Sequence, residues 1–229
     1  MNADVQLIIV AGGMGTRLGH ALPKALVNLA NTPLLVHTIK AFQECELAHT
    51  AIIVHPTGYD DTFLEQLDTA FPGHQMTLIE GGQERKDSVA KGLAALSPTS
   101  SIVAIHDAAR PFIQNQTIHS AIDTARDYGA STVVSACKDT ILQVNETLQL
   151  STTPDRSSLR MCQTPQVFQR TIIEQAYKKA ADGPITDDAT RVHQLGHSVV
   201  VVEGSDKNFK ITTSQDIEYA EFLLAKGLI

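Results

Sequence analysis

Short apolar runs alternate with segments of helical period along most of the chain. A continuous apolar run of four to eight residues is typical of a strand that is buried on both faces. Such runs predict strands at Val5–Val10, Ala51–Val54, Met76–Ile79, Ile102–Ile105, Ser131–Ser135 and Ser198–Val202. Helices are predicted at Pro33–Phe42, about Asp61–Thr69, Arg85–Leu96, about Thr117–Tyr128, Gln169–Ala181, from about Asp187, and from Gln215. This alternation predicts an α/β fold with a mainly parallel sheet covered by helices on both faces.

The alternation stops between about Lys138 and Arg160, where the chain is polar and rich in Ser and Thr. Two brief apolar runs, around Ile141 and Leu148, predict an extended β-hairpin arm that leaves the main body. Because an isolated two-stranded hairpin is marginally stable in water, we expect this arm to pack on a second subunit. The whole chain of 229 residues, with 43% hydrophobic residues, is otherwise predicted to form one domain.

The composition indicates the compartment in which the protein is expected and the classes of partner that it excludes. A net charge of −7 argues against general affinity for nucleic acids or anionic membranes. The three cysteines are far apart and form no CxxC pair, which favours a reducing compartment over a disulfide framework or a zinc ribbon. No signal peptide or apolar run of transmembrane length is evident. We therefore expect a cytoplasmic protein with no nucleic-acid or membrane partner.

The first predicted strand runs into a glycine-rich loop with the sequence AGGMGTRL. Glycines after a parallel strand let the backbone approach a ligand and point its N–H groups at anionic oxygens. A dinucleotide fingerprint would need a glycine where Leu18 stands and an acid where His55 and Pro56 follow the second strand. The Gly-Lys-Ser/Thr ending of a Walker loop is also absent. Two interpretations of the loop are left, a phosphate-binding loop of another kind and a turn with a purely structural role.

Two cations favour the phosphate-binding interpretation. Arg17 lies in the loop, and Lys24 follows seven residues later, directly after Pro23. Cations on both sides of a glycine turn suit a triphosphate whose α-phosphorus gains negative charge during attack. The loop therefore indicates a site that activates a nucleoside triphosphate.

Two more strand ends carry polar residues. The strand Ile102–Ile105 is followed by His106, Asp107 and Arg110, and an acid at this edge of the sheet can meet ribose hydroxyls or a hydrated metal ion. The third strand is followed by Gly81 to Ser88, whose exposed backbone and hydroxyl can read a base by hydrogen bonds. A helix cap is the alternative role for both Asp107 and Ser88.

Seven motifs occur in a characteristic order: AGGMGTR with Pro23-Lys24, GGQERKDSV, HDAARPF, Asp139-Thr140, Arg156 ahead of QTPQVF, ITDDA, and VEG followed by NFKIT. In this respect the chain resembles the 2-C-methyl-D-erythritol 4-phosphate cytidylyltransferases of the non-mevalonate isoprenoid pathway. The resemblance implies a Rossmann-like nucleotidyltransferase fold and a homodimer joined by the arm at about 138–160. It also implies Mg²⁺-dependent transfer of CMP from CTP to a sugar-alcohol phosphate, with release of pyrophosphate.

The resemblance also implies a role for individual residues. Arg17 and Lys24 would be the catalytic residues, because they hold the triphosphate and stabilise the pentacoordinate phosphorus. The nucleotide-binding residues would be Ala11, Gly12, Gly13, Gly15, Gly82, Gln83, Ser88, Asp107 and Ala108. The acceptor-binding residues would be Arg110, Thr186 and Lys210, with Thr140 and Arg156 from the neighbouring subunit. Mg²⁺ would be held by the triphosphate and water, with Asp107 as the candidate side-chain contact.

Two positions depart from the family pattern. The family usually has alanine where Gly12 stands and aspartate where Gln83 stands, so an acceptor for the cytosine amino group remains but its charge is lost. Ribitol-5-phosphate cytidylyltransferase is the alternative within the same superfamily, although HDAARPF and ITDDA favour the methylerythritol enzyme. An NAD-dependent oxidoreductase and a non-catalytic nucleotide-binding module are alternatives from other classes.

Overall fold

The computed structural model describes residues 4–16, 19, 22–179 and 185–229. Its strands are β1 Val5–Val10, β2 Asn28–Leu29, β3 Thr32–Pro33, β4 Ile52–His55, β5 Thr77–Glu80, β6 Ile102–Asp107, β7 Ala130–Ala136, β8 Gln143–Val144, β9 Leu150–Thr152, β10 Arg160–Gln169 and β11 Val200–Glu203. Its α-helices are α1 Leu34–Ala41, α2 Asp60–Ala70, α3 Arg85–Ala94, α4 Asn115–Tyr128, α5 Arg170–Lys178, α6 Asp188–Gln194 and α7 Ser214–Ala225. Within the described residues, no helix is long and apolar enough to cross a membrane.

Seven strands form a central sheet in the order β11-β7-β10-β6-β1-β4-β5. Four of the six neighbouring pairs are parallel, and the two exceptions are the antiparallel pairs of β10 with β6 and β7. The strands predicted from apolar runs are all present, within two residues of the expected ends. The prediction of a mainly parallel sheet in an α/β fold is therefore confirmed.

Helices cover both faces of the sheet, and successive residues of β1 point alternately toward the two layers. Leu7 and Ile9 enter one buried cluster, which also contains Ile118 of α4. Ile8 enters a second cluster, which contains Val89 of α3 and Ile173 of α5. Apolar side chains on both sides of a strand are what a sheet with two covered faces requires.

The apolar pattern does not predict β10, an interior strand that lies between β7 and β6. Its polar residues Gln163, Thr164 and Gln166, together with Pro165, interrupt the apolar run. The register with β7 shifts between Cys162 and Gln166, and a proline within a sheet is tolerated at such an irregularity. Helix α5 follows β10 directly and begins at Arg170, one residue after the predicted start at Gln169. The predicted helix end at Ala181 lies outside the described residues.

The predicted arm contains a hairpin of β8 and β9, which pair in antiparallel fashion. All residues from 138 to 153 are exposed. The arm ends slightly earlier than predicted, because Arg160 already pairs with Ala136 as the first residue of β10. Its role in joining two subunits stays a prediction.

Gln166, on β10, joins the sheet to the start of α6. Its side chain is fully buried, and Oε1 accepts the backbone N–H groups of Asp188 and Ala189 at 2.9 and 3.0 Å. Its Nε2 donates to the Thr132 hydroxyl at 3.2 Å. A polar residue in a buried strand is thus satisfied by groups of a helix N-terminus, which it fixes against the sheet.

Replacement of this amide tests how much the junction contributes to stability. Gln166→Leu leaves the buried N–H groups of Asp188 and Ala189 without an acceptor, so we expect a loss of about 3 kcal/mol in the free energy of unfolding. Urea denaturation measures the change. Gln75→Leu, at an exposed position, is the control and should change stability by less than about 0.5 kcal/mol. Equal stabilities of the two variants would contradict this role.

Candidate active site

Residues at or directly after the carboxyl ends of β1, β5 and β6 line a cavity of about 360 Å³. This is the edge at which open α/β sheets bind ligands. The residues predicted from the sequence that line it are Ala11, Gly12, Gly13, Lys24, Gly82, Gln83, Ser88, Asp107, Ala108 and Lys210. Residues from five separate stretches of the chain therefore meet at one place.

The glycine loop is fixed to its neighbours by backbone hydrogen bonds. Ala11 N–H donates to the carbonyl of Val54 at 2.8 Å, and Lys24 N–H donates to the carbonyl of Gly13 at 2.9 Å. The loop thus folds back so that Lys24, whose side chain is buried, lies beside the glycines. A Cβ atom on Gly13 would contact nothing within 4 Å, so this glycine borders open space.

The other two predicted residues of this loop are Gly15 and Arg17. Gly15 is buried and donates its N–H to the carbonyl of Leu22 at 3.0 Å, and it is not among the residues that line the cavity. Arg17, predicted as a catalytic residue, lies outside the described residues.

A second loop, from Gly81 to Ser88, forms another wall. Gly82 N–H donates to the Ser88 hydroxyl at 3.2 Å, and the Lys91 ammonium group donates to the Gly81 carbonyl at 2.8 Å. A Cβ atom on Gly82 would come within 2.2 Å of the Cβ atom of Asp87, so only glycine fits. Ser88 does not cap α3, because the N-cap residue is Glu84. Ser88 instead holds the turn that faces the cavity.

Asp107 is a carboxylate at the end of β6 that is almost fully buried. Its Oδ2 accepts from Lys210 Nζ at 2.7 Å and its Oδ1 from Arg85 Nε at 3.3 Å. Burial alone would raise the pKa of Asp107, but Lys210 and Arg85 outweigh it and hold that pKa well below its ordinary value. The carboxylate therefore stays charged throughout the physiological pH range.

Arg85 and Asp188 belong to the same network, and the sequence did not predict a role for either. Arg85 Nη1 donates to Asp188 Oδ2 at 2.8 Å. Burial would lower the pKa of Arg85, but Asp188 and Asp107 raise it above its ordinary value. Arg85 lies within the GGQERKDSV motif and Asp188 within ITDDA, but a contact between residues 103 positions apart cannot be read from one sequence.

A second cavity of about 210 Å³ adjoins the first and shares Arg85, Asp107 and Lys210 with it. Arg110 and Thr186 line this second cavity, so three of the predicted acceptor-binding residues are together. The Arg110 guanidinium is held by the carbonyl of Asn208 at 2.8 Å.

The other two predicted acceptor-binding residues are not at this cavity within the chain. Thr140 is exposed on the arm, and Arg156 Nη1 donates to the Lys138 carbonyl at 2.6 Å. Both residues are thus on the segment that is predicted to reach a second subunit.

His106 supports the turn that carries Asp107 and Arg110. Its Nε2 lies 2.9 Å from the Arg110 carbonyl, which can only accept, so the proton is on Nε2. Its Nδ1 then accepts from the Thr164 hydroxyl at 3.0 Å, and that oxygen accepts Asp107 N–H at 3.1 Å. Burial lowers the pKa of His106 to about 4, so the imidazole is neutral in the folded protein at neutral pH.

Few side chains are available to a metal ion at this site. Asp107 already accepts from two cations, and the described residues contain no group of three or more His, Cys, Asp or Glu that could hold a metal. These donors fit an Mg²⁺ ion that keeps most of its waters and is bound through a triphosphate, with Asp107 as at most one further contact.

Comparison with known proteins gives the same result by sequence and by structure. Residues 5–226 match the family model described as 2-C-methyl-D-erythritol 4-phosphate cytidylyltransferase. The chain is 40% identical to the protein of that name from Alkaliphilus oremlandii, over 97% of this chain and 95% of the relative. It is 39% identical to the protein of that name from Streptomyces avermitilis, over 98% and 93%.

Solved structures agree. The 4-diphosphocytidyl-2C-methyl-D-erythritol synthase from Anaerococcus prevotii superposes with a TM-score of 0.85 at 27% identity, covering 96% of this chain and 98% of that one. The 2-C-methyl-D-erythritol 4-phosphate cytidylyltransferase from Thermus thermophilus superposes with a TM-score of 0.79 at 30% identity, covering 97% and 99%.

The neutral state of His106 predicts a dependence of stability on pH. The unfolded chain binds a proton at His106 below about pH 6.5, whereas the folded protein resists it down to about pH 4. The unfolded state therefore binds more protons in this window, and stability falls as pH falls through it, by about 3 kcal/mol in total. Urea denaturation between pH 4 and 7 should show a weaker decline for His106→Gln than for the wild type. The exposed His193→Gln is the control, and parallel curves for all three proteins would contradict the prediction.

Proposed function

The chain belongs to the 2-C-methyl-D-erythritol 4-phosphate cytidylyltransferase family, and from this premise we propose the reaction in full. The protein transfers CMP from CTP to 2-C-methyl-D-erythritol 4-phosphate, which gives 4-diphosphocytidyl-2-C-methyl-D-erythritol and pyrophosphate in an Mg²⁺-dependent step of isoprenoid precursor synthesis. The observation that carries this proposal is the pair of adjoining cavities that share Arg85, Asp107 and Lys210. Adjoining compartments would hold two substrates side by side, as a direct transfer of a group from one to the other requires.

CTP would occupy the larger cavity. Backbone groups of Ala11, Gly12 and Gly82, with Gln83 and Ser88, would read the cytosine, and Asp107 and Ala108 would meet the ribose. Lys24, beside the glycine turn, would contact the triphosphate together with Arg17. The acceptor would occupy the smaller cavity, where Arg110 and Lys210 provide positive charge for its phosphate.

The reaction would be an in-line attack of an acceptor phosphate oxygen on the α-phosphorus of CTP. A bond forms between that oxygen and the phosphorus while the bond to the bridging oxygen of pyrophosphate breaks. Because the nucleophile is already an anion, no general base is required. The cations of the chain would align the two phosphates and stabilise the negative charge that develops on the pentacoordinate phosphorus. Mg²⁺, when bound, would neutralise charge on the triphosphate.

Two residues of the cavity bear on substrate choice. Gln83 presents an amide where the family usually has a carboxylate, and an amide offers both a donor and an acceptor to a base edge. Because Gly12 and Gln83 depart from the family pattern, a test of the substrates should include ribitol 5-phosphate as a second acceptor and UTP as a second nucleotide.

The arm would join two chains into a homodimer. It exposes Leu142, Val144, Leu148 and Leu150, and exposed large apolar side chains on a hairpin favour a protein partner. Thr140 and Arg156 on this arm would then complete the acceptor site of the neighbouring chain. None of the three cysteines is in a disulfide, which is compatible with a reducing compartment, and we retain the cytoplasm as the location.

A pyrophosphate-release assay tests the reaction and its cations together. With CTP and methylerythritol 4-phosphate we expect turnover in the wild type, and a loss of about 10²–10³-fold in kcat for Lys24→Ala and for Arg17→Ala, because each removes a cation from the developing charge. Lys40→Ala, at an exposed position on α1, should behave as the wild type.

The same assay decides the substrates. Faster turnover with ribitol 5-phosphate than with methylerythritol 4-phosphate would replace the acceptor, and equal turnover with UTP would remove the specificity for CTP. Near-normal turnover of both cation variants would contradict the proposed site.

Complementation between inactive variants tests whether the arm completes a neighbouring site. Lys24→Ala and Arg156→Ala should each be inactive alone. When the two are co-expressed, half of the dimers are mixed and each mixed dimer has one intact site, so about a quarter of the wild-type activity should return. No recovery in dimers shown to be mixed would contradict a contribution of Arg156 across the interface.

A further inference from the structure

A line of charged side chains runs from the inside of the protein to the boundary between the two cavities. Asp188 Oδ2 accepts from Arg85 Nη1 at 2.8 Å, and Arg85 Nε donates to Asp107 Oδ1 at 3.3 Å. The other oxygen of Asp107 accepts from Lys210 Nζ at 2.7 Å. Arg85, Asp107 and Lys210 line both cavities, whereas Asp188 lines neither of them.

Asp188 is the fixed end of this line. It is 1% exposed, and its Oδ1 accepts from the Tyr177 hydroxyl while its backbone N–H donates to Gln166 Oε1 at 2.9 Å. The Tyr177 ring is held in turn by the Arg191 guanidinium, whose central carbon is 4.6 Å from the ring centroid. A buried carboxylate that has a cation and a hydroxyl as partners has no freedom to move without leaving a charge unpaired.

Arg85 depends on this anchor for its orientation. Its side chain is 28% exposed and long, so it would sample several rotamers in the absence of a fixed partner. Within the described residues, its hydrogen bonds go to Asp188 and Asp107 alone. Without the Asp188 carboxylate, the guanidinium is free to turn toward Asp107 and to pair with both of its oxygens. Asp107 would then be drawn away from Lys210 and from the cavity.

We propose that Asp188 and Tyr177 are positioning residues, which hold Arg85 and through it set the orientation of Asp107 at the nucleotide cavity. This inference rests on the proposed function, in which Asp107 meets the ribose of CTP. Neither residue contacts the substrate. Their effect is transmitted by one guanidinium that bridges two carboxylates.

The inference predicts a specific kinetic signature. The ribose does not change during transfer, so a contact to it is equally strong in the bound substrate and in the transition state. Loss of such a contact raises KM and leaves kcat nearly unchanged. A general loss of structure would lower kcat or the amount of folded enzyme instead.

Two substitutions test the anchor. Asp188→Asn removes the charge and keeps the size of the side chain, and we expect KM and the calorimetric Kd for CTP to rise about tenfold or more, with kcat within about threefold of the wild type. Tyr177→Phe keeps the ring and removes only the hydroxyl, and we expect a smaller rise, about threefold, in the same two constants.

A double-mutant cycle shows whether the effect passes through Asp107. In an Asp107→Asn background, Asp188→Asn and Tyr177→Phe should add little to the loss in CTP affinity, because the residue through which they act has already been neutralised. Glu174→Gln is the matched control, since it removes the 2.6 Å ion pair with Arg170 on the same helix as Tyr177 and should leave both constants unchanged.

Several results would overturn the inference. These are a loss confined to kcat, an additive effect in the Asp107→Asn background, or variants that match Glu174→Gln. If Asp188→Asn does not fold, as judged by circular dichroism, the cycle with Tyr177→Phe decides. Absence of CMP transfer by the wild-type protein would contradict the proposed function instead, and CTP binding measured by calorimetry still tests the anchor in that case.

Discussion

Removal of the Asp107 carboxylate from water is the constraint on which the site depends. A charge at the end of a buried strand is tolerated only if nearby cations compensate for its lost hydration. The protein supplies Lys210 from one side and Arg85 from the other, and Arg85 is itself balanced by Asp188. Each neutralised pair therefore creates the need for the next partner, and the network ends where the Tyr177 hydroxyl satisfies the remaining oxygen of the last carboxylate, Asp188.

The sheet provides the rigidity that this network requires. Thr164 and Gln166 are on the same strand. The Thr164 hydroxyl accepts Asp107 N–H, and the Gln166 side chain holds the start of α6. The antiparallel strand β10 is therefore a polar frame as well as a part of the core. Its side chains connect residues that are far apart in the sequence, and this explains why buried amides and a hydroxyl occupy an interior strand of the sheet.

The sequence predicts the strands and helices wherever an apolar run or a helical period is uninterrupted. It also predicts the position of the site, since glycines and polar residues follow the strands at one edge. It does not predict β10, because Gln163, Thr164, Pro165 and Gln166 satisfy their polar groups through tertiary contacts that a local pattern does not contain. For the same reason it does not predict Arg85 and Asp188, which become meaningful only as partners. The resemblance to a family assigned Arg110, Thr186 and Lys210 to one acceptor site, and in the structure all three line one cavity.

The placement of the arm has a consequence for how the chain tolerates change. β7 and β10 are adjacent antiparallel strands, and the arm is the segment that connects them. In topological terms it is the loop of a hairpin, so residues added to or removed from it do not alter the register of either strand. Loop closure entropy rises only slowly with length, by about 0.6 kcal/mol for each doubling. The length of this segment can therefore vary without disturbing the sheet or the residues at its carboxyl edge, so that the requirements of the dimer, and not those of the fold, would be what constrains the arm.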